Sequence, residues 1–530
     1  MAYFTLHAYD ADVWIPSFAG LRQSEEIASD LRYAMEAENV ETFRGVLQPM
    51  AEPVVLDYEF TAKIETLARF HRRWFSGTGS KDWLVVASGG KLYYKQESGS
   101  SFTQLGFPTG VTAWSNNVWS YASYEINPAG SSSPVDVLLM SNADDGMIII
   151  KPPYTATVSN PDWKVEKVDT RADPTVGTAA DGPKFGIIER YAERIWGCGV
   201  KDEPDTLFYS RPYDPENWTD AQQNWATPGQ DEEQPEDVAS DIRQPSWDGD
   251  SFVGLKAFGN QLIAFKKHRV WRILGTDPGE YTFKEQYGGG TLCPNTIAVE
   301  TERIFMLEQD GLSLYDGLAV TPFKRYYIEK IWKDAMKNFL DQCCATIYKN
   351  KYYLAFPMGT SAGPSTVNNA LIIYNIEEDT FLLYTDIYIE SMLATEDRLY
   401  ATSSTIPGKI LYIPYDSWET GECTTRAAKW VTPWMDFGRK SLAKGGYEIY
   451  FNPEVKGGPV TFRLTIQTEK KSKSKDVVVQ NTTFQAKQKK VRLSGTSRKF
   501  RFIFESVTVP KGACWRLVGG IQMVVETDPD

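Results

Sequence analysis

Only three histidines, His7, His71 and His268, occur in this chain of 530 residues, and they lie far apart in the sequence. That spacing does not exclude a Ser-His-Asp or Cys-His site, but the expectation is that neither an H-E-x-x-H zinc helix nor a G-x-S-x-G nucleophile elbow is present. Six cysteines, Cys198, Cys293, Cys343, Cys344, Cys423 and Cys514, include no C-x-x-C pair. The adjacent Cys343-Cys344 suits neither zinc nor an ordinary disulfide, so buried, reduced thiols are expected. Gly288-Gly289-Gly290 lacks the lysine and spacing of a phosphate loop and reads as a turn. Asn142-Ala143-Asp144-Asp145-Gly146 looks like part of a calcium loop, but the glutamate that would close it is missing, and a hairpin turn is the simpler reading. No catalytic, cofactor-binding or metal-binding residue is therefore assigned, no cofactor is implied, and the expectation is a protein that is not an enzyme.

The elements around these residues read as strands. Aromatics make up 13% of the chain, with 16 Trp and 28 Tyr, and 40 glycines punctuate it. Such enrichment favours strands and tight turns over helices. In Asn295 to Lys324, Asp310-Gly311 and Asp316-Gly317 each separate short runs of β-formers, a strong hairpin signal. Ile297 to Glu300, Arg303 to Leu307, Leu312 to Tyr315 and Leu318 to Thr321 read as four antiparallel strands, the size of one propeller blade. Similar strand pairs recur. They are Trp83–Ala87 with Lys91–Tyr94, Val135–Met140 with Met147–Ile150, and Arg194–Cys198 with Leu207–Ser210. Further along come Gln261–Lys266 with Val270–Ile273, Tyr352–Phe356 with Leu371–Asn375 and Phe381–Tyr384, and Arg398–Ala401 with Ile410–Ile413. The fold class expected is mainly β: a β-propeller of six to eight blades with an N-terminal helical or extended segment and a C-terminal β-sandwich.

Three parts follow. Residues 1–57 form an N-terminal arm and cap, with Ser24 capping a helix through Glu25, Glu26, Ile27, Leu31, Ala34 and Met35. Residues 58–420 form the propeller, interrupted by an acidic loop at 219–250 and by an amphipathic helix at 325–340 bearing Ile328, Ile331, Trp332, Ala335, Met336 and Phe339. Residues 427–530 alternate, as in Phe500-Arg501-Phe502-Ile503-Phe504, and form the sandwich. Within 470–501, Lys470, Lys471, Lys473, Lys475, Lys487, Lys489, Lys490 and Arg492 make a basic hairpin region. It is either a charged edge guarded against strand addition or a contact for DNA or an acidic partner.

The formal charge of −13 argues against tight duplex binding, which needs phosphate neutralisation. It suits a surface past which DNA slides. The first residues show no basic segment leading into an apolar core, and no apolar run reaches membrane-spanning length. A soluble protein without membrane insertion is expected. Propeller glycosidases would need two carboxylates across a cleft, which 69 acidic residues make untestable by inspection. The repeated S-x-D-x-G-x-x-W turns of sialidases are absent. Exposed Trp and Tyr would suit glycan binding, although aromatic residues in blades more often belong to the core.

Three stretches carry a resemblance. Ile15 to Leu47 has Gly20-Leu21, the Ser24 segment, Asn39-Val40 and Arg44-Gly45-Val46. Leu207 to Trp218 reads LFYSRPYDPENW, and Thr432 to Gly438 reads TPWMDFG. In this order they resemble the tail nozzle or packaged-DNA stabilisation (head-to-tail, tail hub) proteins of tailed bacteriophages. The resemblance implies a structural virion protein in a homohexameric ring below the portal and its adaptor, made in the host cytoplasm. It implies partners among portal, adaptor and fibre or needle proteins, with genomic double-stranded DNA passing non-specifically. The basic C-terminal region has no counterpart in that pattern. The alternative readings are a tail-tip or baseplate propeller that binds host glycans, or a propeller glycosidase.

Overall fold

The computed structural model describes residues 4–527 apart from 7–9, 24–29, 75–76, 78, 129–130, 132, 156–158, 169–183, 217, 219–239, 244–249, 277–279, 287, 360–362, 364, 436–443, 481–487 and 494–496. It is mainly β and built of many small antiparallel sheets, consistent with a β-propeller. Five four-stranded meanders run in chain order, starting at strands Ile64–His71, Ser120–Ile126, Ile187–Tyr191, Phe252–Phe258 and Ala298–Glu300. A sixth meander, Cys344–Tyr348 through Thr380–Thr385, opens an 11-stranded sheet. In the seventh, Ser391–Ala394, Leu399–Thr402 and Ile410–Ile413 are completed by the N-terminal strand Val54–Val55.

Turn chemistry explains these units. Gly89 and Gly90 (φ +59° and +73°) turn Asp82–Ser88 into Lys91–Gln96, the double positive φ that matches strand twist in a two-residue hairpin. Lys349 and Asn350 (φ +46° and +59°) do the same between Cys344–Tyr348 and Lys351–Phe356. The 295–324 reading corresponds closely to the observed Ala298–Glu300, Arg303–Glu308, Gly311–Tyr315 and Val320–Pro322. Strands in the middle of a meander are buried on both faces, Val135–Asn142 throughout its length. Both faces are covered because apolar clusters fill the gaps between neighbouring sheets. Phe70, Val85, Leu138 and Ile148 join the first to the second; Ile64, Leu84, Leu393 and Ile410 join the seventh back to the first.

The N-terminal segment departs from expectation. Residues 24–29, including Ser24, Glu25, Glu26 and Ile27, lie outside the described residues. Beyond them the chain is extended: Tyr33–Ala34 and Glu36–Glu38 are strands, and no helix carries Leu31, Ala34 and Met35. Glu36–Glu38 lies between two edges, parallel to Thr380–Thr385 and antiparallel to Ala428–Val431. Two open strand edges offer more backbone hydrogen bonds than an isolated short helix can retain. As a result, the sixth meander and a C-terminal sheet form one continuous sheet.

The 325–340 helix is also corrected. It breaks into Arg325–Tyr327, Glu329–Lys333 and Lys337–Gln342, short pieces of which only the middle one is α-helical. The break falls where Met336 N donates to Pro357 O at 2.9 Å and Ala335 bridges Met358. The apolar stripe still packs: Ile328, Ile331, Trp332, Ala335 and Leu340 are buried in the main core. Within 219–250, Ser240–Arg243 is the outer strand of the third meander rather than loop, while Asp231 to Asp237 lie outside the described residues.

After residue 427 the chain forms parts of two sheets. Lys444–Lys456, Lys489–Leu493 and Cys514–Thr527 pair in one; Ala428–Val431, Val460–Thr468, Ser472–Val479 and Phe500–Thr508 pair in the other. Phe451 and Trp515 of the first meet Phe462 and Phe504 of the second, with ring centroids 5.4–6.2 Å apart. Cys423 and Cys514 form a disulfide, so the expectation of reduced thiols fails for this pair. Cys198, Cys293, Cys343 and Cys344 are free and buried.

Candidate functional surfaces

The arm is fixed by side chains as well as by strand pairing. Asn39 adopts φ +56°, a left-handed conformation that asparagine tolerates better than most residues. From there its Oδ1 accepts Thr385 N (2.9 Å) and its Nδ2 donates to Ala427 O (3.0 Å). One side chain thus joins the sixth meander to the start of the C-terminal region. Nearby, the buried Glu41 carboxylate faces Lys351 Nζ at 3.7 Å and accepts from Gln48 Nε2 (2.6 Å) and Ser417 Oγ (3.2 Å). Arg44 and Gly45, both at positive φ, close the hairpin Val40–Phe43 to Val46–Pro49. The signature-like residues Gly20, Asn39, Arg44 and Gly45 therefore hold together turns and seams within one chain.

The second stretch behaves alike. Ser210 Oγ accepts Ile195 N (3.0 Å), Arg194 Nη1 donates to Ser210 O (2.8 Å), and Trp218 packs on Phe185. In the third, Thr432 Oγ1 accepts Phe502 N at 2.9 Å, while residues 436–438 lie outside the described region.

The residues weighed for chemistry are dispersed. His7 lies outside the described residues. His268 donates its backbone N–H to Asp250 (2.7 Å). His71 Nδ1 stands 2.7 Å from Asp82, with Glu396 nearby, the grouping among the described residues that most resembles a metal site. Arg69, however, binds both Asp82 oxygens at 2.8 Å, which leaves that carboxylate engaged by a guanidinium. Burial raises the Asp82 pKa, but hydrogen bonds from Arg69 and His71 outweigh it and hold the group below its ordinary range. Asp145 receives Ser115 N and Asn116 N, Asn142 Oδ1 receives Asp144 N and Asp145 N, and Asp144 pairs with Lys201. The calcium-like string is thus a self-capped turn. Gly290 has no room for a side chain: a Cβ would sit 1.9 Å from Lys266 O, so this glycine serves close backbone approach.

The expectation that no G-x-S-x-G string occurs is corrected: Gly359-Thr360-Ser361-Ala362-Gly363 is one. Ser361 lies outside the described residues. Its flanking strands, Lys351–Phe356 and Ala370–Asn375, are antiparallel partners in one meander. A nucleophile elbow needs a strand leading into a helix, and this topology does not provide one.

Charge is distributed unevenly. Residues 427–530 hold 19 Lys and Arg against 9 Asp and Glu, a balance of +10, whereas residues 1–426 hold 37 against 60, a balance of −23. Lys471, Lys473 and Lys475 lie exposed on or beside Ser472–Val479, the last strand of the 11-stranded sheet. Lys489–Leu493 is the edge of the other sheet, where Lys490 and Arg492 both reach Glu448. These contacts, with the Tyr450 hydroxyl, lower the Glu448 pKa to about 2. Lys487 lies outside the described residues.

No family model and no curated protein matches the chain. Solved structures with weak similarity include the WD40 domain of Neurospora crassa Pan2, 8% identical over 67% of this chain and 90% of that one, with a TM-score of 0.36. A chain of the Mitotic Checkpoint Complex is 10% identical over 63% and 87%, with a TM-score of 0.33. The computationally designed Ika8 protein is 9% identical over 68% and 100%, with a TM-score of 0.34. Likeness at this level carries no functional argument.

Proposed function

We propose that the chain is a non-enzymatic structural protein of a tailed-phage virion, a seven-bladed propeller fused to a β-sandwich. In this reading it assembles into a ring that extends the DNA channel and helps retain the genome. Portal, adaptor and fibre or needle proteins would adjoin that ring. The observation that carries the assembly part is the charge asymmetry: a basic C-terminal region in a chain otherwise of balance −23. Contacts between the basic sheet edge of one copy and the acidic surface of the next would repeat head to tail and close a ring. The acidic remainder would let DNA pass with little adhesion.

Intramolecular pairing of the arm changes how this is tested. Residues 33–55 supply strands to the protein's own sheets, so deleting them would unfold the junction before it could report on assembly. Light scattering of the full chain tests it instead. A mass of several copies at low salt should fall as salt screens the contact, over a Debye length of about 10 Å at 0.1 M. The double variant Lys471→Glu, Lys475→Glu should be monomeric at all salt concentrations. A monomeric wild-type protein at low salt rejects the ring.

A further inference from the structure

Between the first and second meanders lies an open cavity of about 500 Å³. Aromatic rings dominate one wall. Trp163 lies 5.0 Å from Trp83 and 4.4 Å from Tyr94, centroid to centroid, and the Arg72 guanidinium covers both indoles at 5.7–5.8 Å. Trp74 stands at the rim, 54% exposed. Trp74 forms part of the cavity lining. It is also held in place, because its backbone N–H donates to Asp136 at 2.7 Å and its indole N–H lies 3.5 Å from Glu125. Asp136 forms part of the lining and is 4% exposed as a residue. Burial pushes its pKa up, while Trp74 N–H and the nearby Arg73 oppose that rise. Tyr154, Gln96, Ser131, Ser133 and Thr155 also line the cavity.

We infer that this cavity is a binding site for a pyranose-containing glycan. Trp83 and Trp163 are covered by Arg72 and by each other, so the exposed Trp74 indole is the face that accepts the apolar C–H side of a sugar ring. The hydroxyls around that ring need fixed polar partners such as Asp136 and Ser133. A phosphorylated ligand would meet the Asp136 carboxylate, and of the two guanidiniums beside it Arg72 lies on indole faces and Arg73 is paired with Glu125. The volume falls in the range of small-ligand sites. This inference is independent of ring assembly, since the cavity lies within one chain and away from the basic sheet edge.

The full-length chain is tested against methyl α- and β-pyranosides by saturation-transfer NMR and against a printed glycan array. Trp74→Ala removes an exposed ring and should leave the thermal midpoint unchanged; Trp14→Ala, a 45% exposed indole on another sheet, serves as control. The expected result is binding of at least one pyranoside, weakened about tenfold or more by Trp74→Ala, a loss of about 1.4 kcal/mol, and untouched by Trp14→Ala. Asp136→Asn should change which hydroxyl epimers bind. Three outcomes overturn the inference: no pyranoside bound at about 10 mM, a weaker limit than any useful affinity; binding that survives Trp74→Ala; or capture of a proline-rich peptide with no sugar bound.

Discussion

The ring of meanders and the seam beside it differ in how far apart in sequence their partners lie. In the ring, each strand pairs with its neighbour in the chain, as Asp82–Ser88 does with Lys91–Gln96. Among the described residues that order is broken where Val54–Val55 returns to Ile410–Ile413 and where Thr380–Thr385 takes Gly20–Leu21 and Glu36–Glu38 as partners. In the seam, Glu36–Glu38 pairs with Ala428–Val431, and Asn39 hydrogen-bonds Thr385 and Ala427. Local pairing makes each meander largely self-sufficient, so damage to one turn stays near that turn. Long-range pairing concentrates several parts of the chain on a few residues, so damage there spreads.

The sharpest way to break this contrast is Glu41→Ala. It leaves the buried Lys351 without its carboxylate and should cost about 3–5 kcal/mol. Denaturant unfolding should show the loss, and hydrogen exchange should show it spread over the arm, the sixth meander and the C-terminal sheets. A change confined to residues 40–48 would mean that the seam is no more cooperative than a single meander. Next comes the Cys423–Cys514 disulfide, which closes a 91-residue separation across the seam. Replacing both with serine should lower stability by about 2–4 kcal/mol, measured on the oxidised wild type and the variant under identical buffer. Within the ring, Asp145→Ala removes the acceptor for Ser115 N and Asn116 N and should cost about 1–2 kcal/mol. Its faster exchange should be limited to the turns at 115–117 and 142–146.

The smallest effect expected is pH-dependent. Glu448 has its pKa lowered to about 2 by Lys490, Tyr450 and Arg492. A carboxylate whose folded pKa lies below its unfolded one adds stability above the unfolded pKa and loses it as pH falls through the folded one. Glu448→Gln should therefore melt slightly below wild type at pH 7, and the two curves should converge as pH falls from about 4.5 towards 2. Curves that stay parallel throughout would assign the Glu448 contact no role in holding that edge.

The failed helices show where sequence reading runs out. Ala34 and Met35 sit at helical spacing after Leu31, yet the chain there is extended: Ala34 pairs with Leu21, Met35 N donates to Val431 O, and Glu36–Glu38 lies between two distant edges. Ile328, Ile331 and Trp332 also kept their apolar stripe, and burial followed it; only the continuous helix was lost, to a contact with Pro357 that lies beyond the local window. The candidate cavity was invisible for a similar reason. Trp74, Trp83 and Trp163 are scattered over 90 positions of sequence, and no spacing rule joins one meander to the next.

By itself the sequence determined the meanders. Asp-Gly, Gly-Gly and similar turns fix strand direction within a few residues, and alternating or continuous apolar runs say which faces are covered. Tertiary structure alone decided how the ring is closed and how it is fastened to the C-terminal sheets. Those choices depend on which open strand edges remain once every local hairpin has formed. Edges of that kind are recognised by backbone groups that every residue carries, so the side chains leave no local record of the partner.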